Sequence, residues 1–244
     1  MSEMLRLNKY LSSTGFCSRR KADEWIASGK VFVNGVPADM GMRVSDQDVV
    51  MVNGKIIRKE EPFKLVAFYK PKGFACTSHR GDQSSIFLNF DLDSDLKYIG
   101  RLDKDSEGLL LLTNDGDLCN EVSKARNQHE KEYVVTVNKP ITEDFLTGMA
   151  NGVRIYNADK DTYVVTNPCK IYMRNDNTFT IILTQGLNRQ IRKMCEHFGY
   201  RVRKLKRIRV MNITISDMKA GDIRNVSEEE YAELKRMIRQ DKKS

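Results

Sequence analysis

The segment GLLLLTNDG, residues 108–116, limits the possible folds more than any other part of the chain. Four adjacent leucines leave no polar position for a solvent-facing side. The run is far shorter than the roughly 18 residues needed to span a bilayer. A Thr-Asn-Asp-Gly turn ends it, so it reads as a buried strand. The chain's 244 residues and 40% apolar content are enough to build a core around such a strand. Immediately before it stands GRLDKDSE, which places Arg101, Asp103, Lys104 and Asp105 against the apolar run. A carboxylate held rigidly at the rim of a core differs chemically from one in a solvated loop, and Asp103 is placed as the former.

The first 60 residues read as a small α-α-β unit. In RLNKYLSSTG, Leu7, Tyr10 and Leu11 recur at helical spacing and Gly15 stops the helix. Ser18 can cap a second helix, RRKADEWIASG, whose apolar face is Ala22, Trp25 and Ile26. VFVNGVPA and VVMVNGKII each carry Asn-Gly between apolar flanks, a strong hairpin signal. Arg6, Lys9, Arg19, Arg20, Lys21 and Lys30 lie on the open side of the helices. Residues 61–64 read as a linker. From 65 to about 240, strands (LVAFYK, GLLLLT, KEYVVTV, TYVVTNPCKIYM, TFTIIL) are interspersed with helices (ITEDFLTGMANG, NRQIRKMCEHFG, VSEEEYAELKRMIRQ). The helices do not alternate strictly with the strands. The expected class is therefore α+β, with a mostly antiparallel or mixed sheet flanked by helices. Ser227 and Glu230 form a capping box ahead of the last helix.

The net charge of +8 is concentrated in one place. Arg189–Arg209 holds nine Lys/Arg and one Glu, the footprint of a polyanionic partner. A salt-bridged helix face would need acids four residues away from the bases, and only Glu196 is available. The five cysteines are scattered without C-x-x-C spacing and read as reduced thiols. No spacing suggests a metal site, and no glycine-rich phosphate loop or other cofactor motif occurs. The N-terminus lacks an apolar signal region, and the expectation is a cytoplasmic, monomeric protein with no membrane partner.

Arg192 falls on the flank of a helical face formed by Ile191, Met194, Cys195 and Phe198. From there it can pair with a partly buried carboxylate or bind phosphate. Tyr133 fits either core packing or stacking on a base. The residues alone leave both pairs of readings open.

RLNKYLSSTGFCSRRKADEWIASGKVFVNG resembles the RNA-binding domain first named for ribosomal protein S-four. GRLDKDSEGLLLLTNDGDL, KPKGF, KEYVVTV and QGLNRQIRKMCEHFGYRVRKLKRIRV, in that order, resemble pseudouridine synthases of the RsuA/RluB/RluE/RluF type, and the form QGLNRQIR resembles the RluF branch. Ser106 stands where many members have threonine, and Gln185, Leu187 and Arg189 depart from the commoner E-G-x-x-H-Q. The resemblance implies that Asp103 is the catalytic carboxylate, Tyr133 lies against the base, Arg192 pairs with Asp103 and Leu205 lines the pocket. It also implies a substrate in large-subunit ribosomal RNA, with transfer RNA as a further one, and no cofactor.

This chemistry suits the residues, because uridine and pseudouridine are isomers and no group is exchanged. The target has to leave its stack, at a cost of a few kcal/mol. Arg101 is placed to fill the gap, and Asn188, Arg189, Arg201, Arg203, Lys204, Lys206 and Arg207 to hold the RNA backbone. Two rival readings are a non-catalytic RNA-binding or ribosome-assembly factor and an N-glycoside hydrolase. The hydrolase would need Asp105 or Glu107 to converge with Asp103.

Overall fold

The computed structural model describes residues 4–45, 47–57, 62–79, 81–123, 128–158 and 161–241. Glu61 of the expected linker, and residues 58–60 before it, lie outside the described residues. The chain forms two compact units. One comprises residues up to Lys64 with Asn114–Gly116, and the other Leu65–Thr113 with Asp117 onward.

In the first unit, strand β1 (Leu5–Arg6) leads into helices α1 (Leu7–Ser13) and α2 (Arg19–Ala27). The Ser18 hydroxyl accepts the Lys21 N–H at 3.2 Å, the cap its position predicts. Strands β2 (Val31–Val33), β3 (Val36–Pro37), β4 (Arg43–Val44), β5 (Val50–Val52) and β6 (Lys55–Ile57) follow. β4 pairs with β1, and the other four form a sheet in the order β3-β2-β5-β6. Both Asn-Gly pairs turn hairpins, with Asn34, Gly35, Asn53 and Gly54 all at positive φ. Leu7, Leu11, Ala22, Ile26, Val31, Val44, Val50 and Val52 close one core. Arg6, Arg19, Arg20, Lys21 and Lys30 are exposed and Lys9 is half-buried.

The second unit carries strands β7 (Leu65–Lys70), β8 (Lys97–Ile99), β9 (Glu107–Thr113), β10 (Lys131–Val137), β11 (Arg154–Asn157), β12 (Thr162–Val165), β13 (Lys170–Asn175), β14 (Thr178–Leu183), β15 (Val202–Val210), β16 (Ile213–Thr214) and β17 (Ile223–Asn225). Its helices are α3 (Ile86–Asn89), α4 (Gly116–Ser123), α5 (Glu143–Ala150), α6 (Gln190–His197) and α7 (Glu228–Asp241). Nine strands make one mixed sheet along the path β13-β14-β10-β15-β9-β7-β17, with β16 beside β15 and β8 beside β9. β11 and β12 form a separate ribbon. The α+β class read from the sequence holds.

Leu109 to Leu112 are each fully buried, and the pleat divides them. Leu109 and Leu111 pack with Leu118 and Val122 of α4 and Leu234 and Ile238 of α7. Leu110 and Leu112 pack with Phe68, Ile86 and Leu102 on the other face. Sequence reading ended this segment at its turn and missed α4. That helix is eight residues long, and its only apolar signal is one short face. At α7 the capping box forms: the Ser227 N–H donates to Glu230 (3.0 Å) and the Glu230 N–H to the Ser227 hydroxyl (3.2 Å).

All pairings in the large sheet are antiparallel except one. β9 and β15 run parallel, with Glu107 opposite Lys206 and Gly108 opposite Arg207. Parallel neighbours are entered from the same end. The Asp103 loop, which leads into β9, and α6, which precedes β15, therefore arrive at the same edge of the sheet. Gly108 makes this seam possible. Its φ is +114°, and a Cβ there would lie 2.2 Å from the Arg207 carbonyl oxygen. Gly108→Ala is therefore expected to destabilise this unit by about 3 kcal/mol or more. Gly35→Ala also sits at positive φ but faces open space, and is expected to lose only about 1 kcal/mol. Thermal melts of the two variants should rank in that order.

Candidate active site

A cleft of about 150 Å³ opens where the seam meets β10, wholly within the second unit. Gly100, Arg101, Asp103 and Ser106 line it from the loop before β9. Lys131 and Tyr133 come from β10, Gln185, Leu187 and Arg189 from the segment before α6, and Leu205 and Arg207 from β15. Asp103, Tyr133, Arg101 and Leu205, widely separated in sequence, thus share one cavity.

The Asp103 loop is tied on two sides. The Asp103 carbonyl accepts the Ser106 N–H (3.1 Å), and the Lys104 carbonyl accepts the Gly73 N–H (2.7 Å) from the Lys-Pro-Lys-Gly turn. From α6, Arg192 donates through one guanidinium nitrogen to the Asp105 carbonyl and the Ser106 hydroxyl, both at 3.1 Å. Ser106 is 1% exposed, so its hydroxyl acts as an internal strut.

The ion pairs are shared among four groups. Asp105 takes both nearer contacts of Arg189 (3.1 and 3.3 Å) and lies 3.3 Å from Arg192. Burial pushes the Asp105 carboxyl up, but the two guanidinium groups outweigh it and hold the carboxyl below the usual carboxylate range. Asp103 is a looser partner. Its oxygen lies 3.5 Å from Arg189 and 3.9 Å from Arg192, and its carboxylate accepts no hydrogen bond among the described residues. Arg192 lies 3.9 Å from Asp103, the partner the resemblance implies, but its shorter contacts go to Asp105 and Ser106. Arg189, expected at the RNA backbone, is the second cation at this carboxylate. Its backbone is left-handed at the N-cap of α6, with φ 52°.

The basic stripe also needs correction. On β15 the side chains alternate, and Arg207 shares the inward face with Leu205. Arg207 is only 1% exposed and lines the cleft, so it is not a surface cation for RNA backbone. One extra residue on β15 opposite Glu132 and Tyr133 sets Arg207 beside Tyr133 and Arg209 beside Glu132. Arg209 is neutralised by Glu132 (2.8 Å) and Glu130 (3.0 Å), acids that no i+4 spacing reveals. Lys206 lies over the Tyr69 ring at 4.8 Å. Arg201, Arg203, Lys204 and Asn188 remain exposed.

Lys131 was missed by sequence reading. Its ammonium donates to the His129 carbonyl at 3.0 Å. Burial, then the charge of Arg207, brings it down from 10.5 to about 8. The only sequence signal was the lysine of K-E-Y, two residues before Tyr133.

Comparisons with known proteins show the family. The family described as RNA pseudouridylate synthase matches residues 64–197, and the S4 domain matches 5–50. The chain is 48% identical over 236 residues to the dual-specificity RNA pseudouridine synthase RluF of Escherichia coli K12, covering 96% of this chain and 79% of that one. This chain belongs to the RNA pseudouridylate synthases. A ribosomal large subunit pseudouridine synthase B of Bacillus subtilis is 34% identical over 241 residues, 95% of this chain and 96% of that one. A solved pseudouridylate synthase superposes with a TM-score of 0.68 at 25% identity, covering 94% of this chain and 99% of the other. As a pseudouridine synthase with an RNA-binding module, the chain takes RNA as its substrate. No described helix is long and apolar enough to cross a membrane.

The lowered Lys131 value makes a testable demand on this synthase's stability. The folded protein releases that proton near pH 8 and the unfolded chain near 10.5. Between these values the unfolded state binds more protons, so stability gains a contribution as pH rises through the window. Melting temperatures of wild type and Lys131→Met between pH 7 and 10 should converge or cross accordingly, with the variant lacking this rise.

Proposed function

We propose that the enzyme isomerises a uridine of large-subunit ribosomal RNA, with a transfer RNA as a further substrate, and that Asp103 is its catalytic carboxylate. The observation that carries this reading is the state of Asp103. It lines the cleft, faces two guanidinium groups and accepts no hydrogen bond among the described residues, so its oxygens are available to a ribose. Asp103 either attacks C1′ or removes a ribose proton, and both routes detach the base. Arg192 and Arg189 set positive charge beside the acid. Tyr133 lies against the base and is placed to take the C5 proton, directly or through water. Leu205 offers the ring an apolar wall, and Arg101 at the exposed mouth fills the vacated stack.

Arg6, Lys9, Arg19, Arg20, Lys21 and Lys30 of the first module hold RNA backbone, together with Asn188, Arg201, Arg203 and Lys204 of the second. The two domains divide at 61–64, the protein works as a monomer, and its place is the cytoplasm with its RNA. A hydrolase reading is disfavoured by Asp105. A general acid needs a raised pKa, and Asp105 is held low by two arginines.

Asp103→Asn is expected to lower single-turnover formation of pseudouridine by ~10³-fold or more, with RNA affinity within about threefold of wild type. Retained turnover would sink the assignment. Arg19→Ala with Arg20→Ala should weaken RNA binding and reduce the salt dependence of log K by roughly two, leaving the rate at saturating RNA unchanged. Pseudouridine maps of ribosomal and transfer RNA with and without the gene identify the target. Identical maps would refute the substrate reading.

A further inference from the structure

At the floor of the cleft, Arg207 and Lys131 have no carboxylate partner among the described residues. Arg207 is 1% exposed; its Nε donates to the Leu109 carbonyl at 2.7 Å, and its Nη2 is buried with no acceptor among the described residues. Lys131 lines the same cleft and donates to the His129 carbonyl. Nearby, the buried Lys70 feels the charges of Asp103 and Asp105 as well as that of Arg207, and donates to the Pro71 and Phe74 carbonyls, both at 2.8 Å. All three are held by main-chain carbonyls. Arg209 on the same strand shows the contrast, because two glutamates neutralise it. Leaving a buried guanidinium incompletely paired is unfavourable. An incoming acceptor would offset that cost.

We propose that Arg207, assisted by Lys131, binds a carbonyl oxygen of the target uracil and stabilises the negative charge on the base when its N1–C1′ bond breaks. The inference rests on the reading of this cleft as the uridine site. Arg207 sits beside Tyr133 in the sheet and on the same face as Leu205, and all three line the cleft. The group that reaches it is therefore a flat base with oxygen acceptors, not a backbone phosphate.

The chemistry balances. When the N1–C1′ bond breaks, its electron pair leaves with the base and spreads over N1, O2 and O4. Either an Asp103 oxygen bonds to C1′, or Asp103 takes a proton from C2′. The base turns, and C5 bonds to C1′ as that step reverses. The C5 proton is lost and N1 gains one, so no electron, proton or group is consumed overall. Between the two bonds the base is an anion inside a partly dry cleft. There a fixed donor stabilises it far more than water would. The lowered proton affinity of Lys131 lets it share its proton with that anion without holding it tightly.

The test uses the full chain and an RNA fragment containing the mapped uridine, made with uridine, 2-thiouridine or 4-thiouridine at that position. Arg207→Met is expected to lower the single-turnover rate about 100-fold with RNA affinity within about threefold. One of the two thio substitutions should slow wild type about tenfold and the variant less than about twofold, because the donor to that oxygen is gone. A merely structural role for Arg207 would leave the thio effects equal in both proteins, and that result overturns the proposal. If Arg207→Met does not melt as a folded protein, Lys131→Met, which is less buried, carries the same comparison with the same criterion. Asp103→Asn is run in parallel. An active Asp103→Asn means the site reading itself fails. An inactive Asp103→Asn with equal thio effects means only the role of Arg207 fails.

Discussion

One parallel contact between β9 and β15 organises the catalytic unit. In a sheet otherwise built from antiparallel neighbours, that contact brings two distant segments to the same edge. Asp103 comes in ahead of one strand and Arg192 and Arg189 ahead of the other. The seam closes because residue 108 has no Cβ to strike the Arg207 backbone. The four leucines that follow Gly108 then lock β9 by burying alternate side chains in two different cores. The rigidity of the acid's loop is thus a consequence of strand packing, reinforced by Arg192 through Ser106 and the Asp105 carbonyl.

Charge is arranged in two tiers. At the rim, two carboxylates and two guanidinium groups share contacts unevenly. Asp105 absorbs the short ones and Asp103 keeps its oxygens accessible. At the floor, Lys131 and Arg207 lean on carbonyl oxygens and have no carboxylate partner among the described residues. Guanidinium groups thus face the Asp103 carboxylate at the rim, and further positive charge lies at the floor. An enzyme exchanging no electrons or groups with its surroundings can work mainly through such fixed fields.

Much of the fold could be read locally. The Ser18 cap, the two Asn-Gly hairpins, the Ser227–Glu230 capping box and the α6 core face of Ile191, Met194 and Cys195 depend on neighbours within a few residues. Their spacing in the sequence is their geometry. The short α4 escaped because eight residues with one small apolar face hardly differ from a turn. The basic stripe reads as unpaired for a related reason. Helical spacing can find acids at i+4, but Glu130 and Glu132 reach Arg209 across strands.

The sequence alone determined that a buried strand follows an acidic loop, that a helix-paired basic module precedes it, and which motifs carry Asp103, Tyr133, Arg192 and Leu205. Only the tertiary structure decided which cation stands next to which acid, that Arg207 faces inward, and that Lys131 joins the cleft. The reason is physical. Caps, turns and amphipathic faces are set by contacts a few residues apart, whereas burial and ion pairing depend on groups some 80 residues away, brought together by one parallel pair of strands.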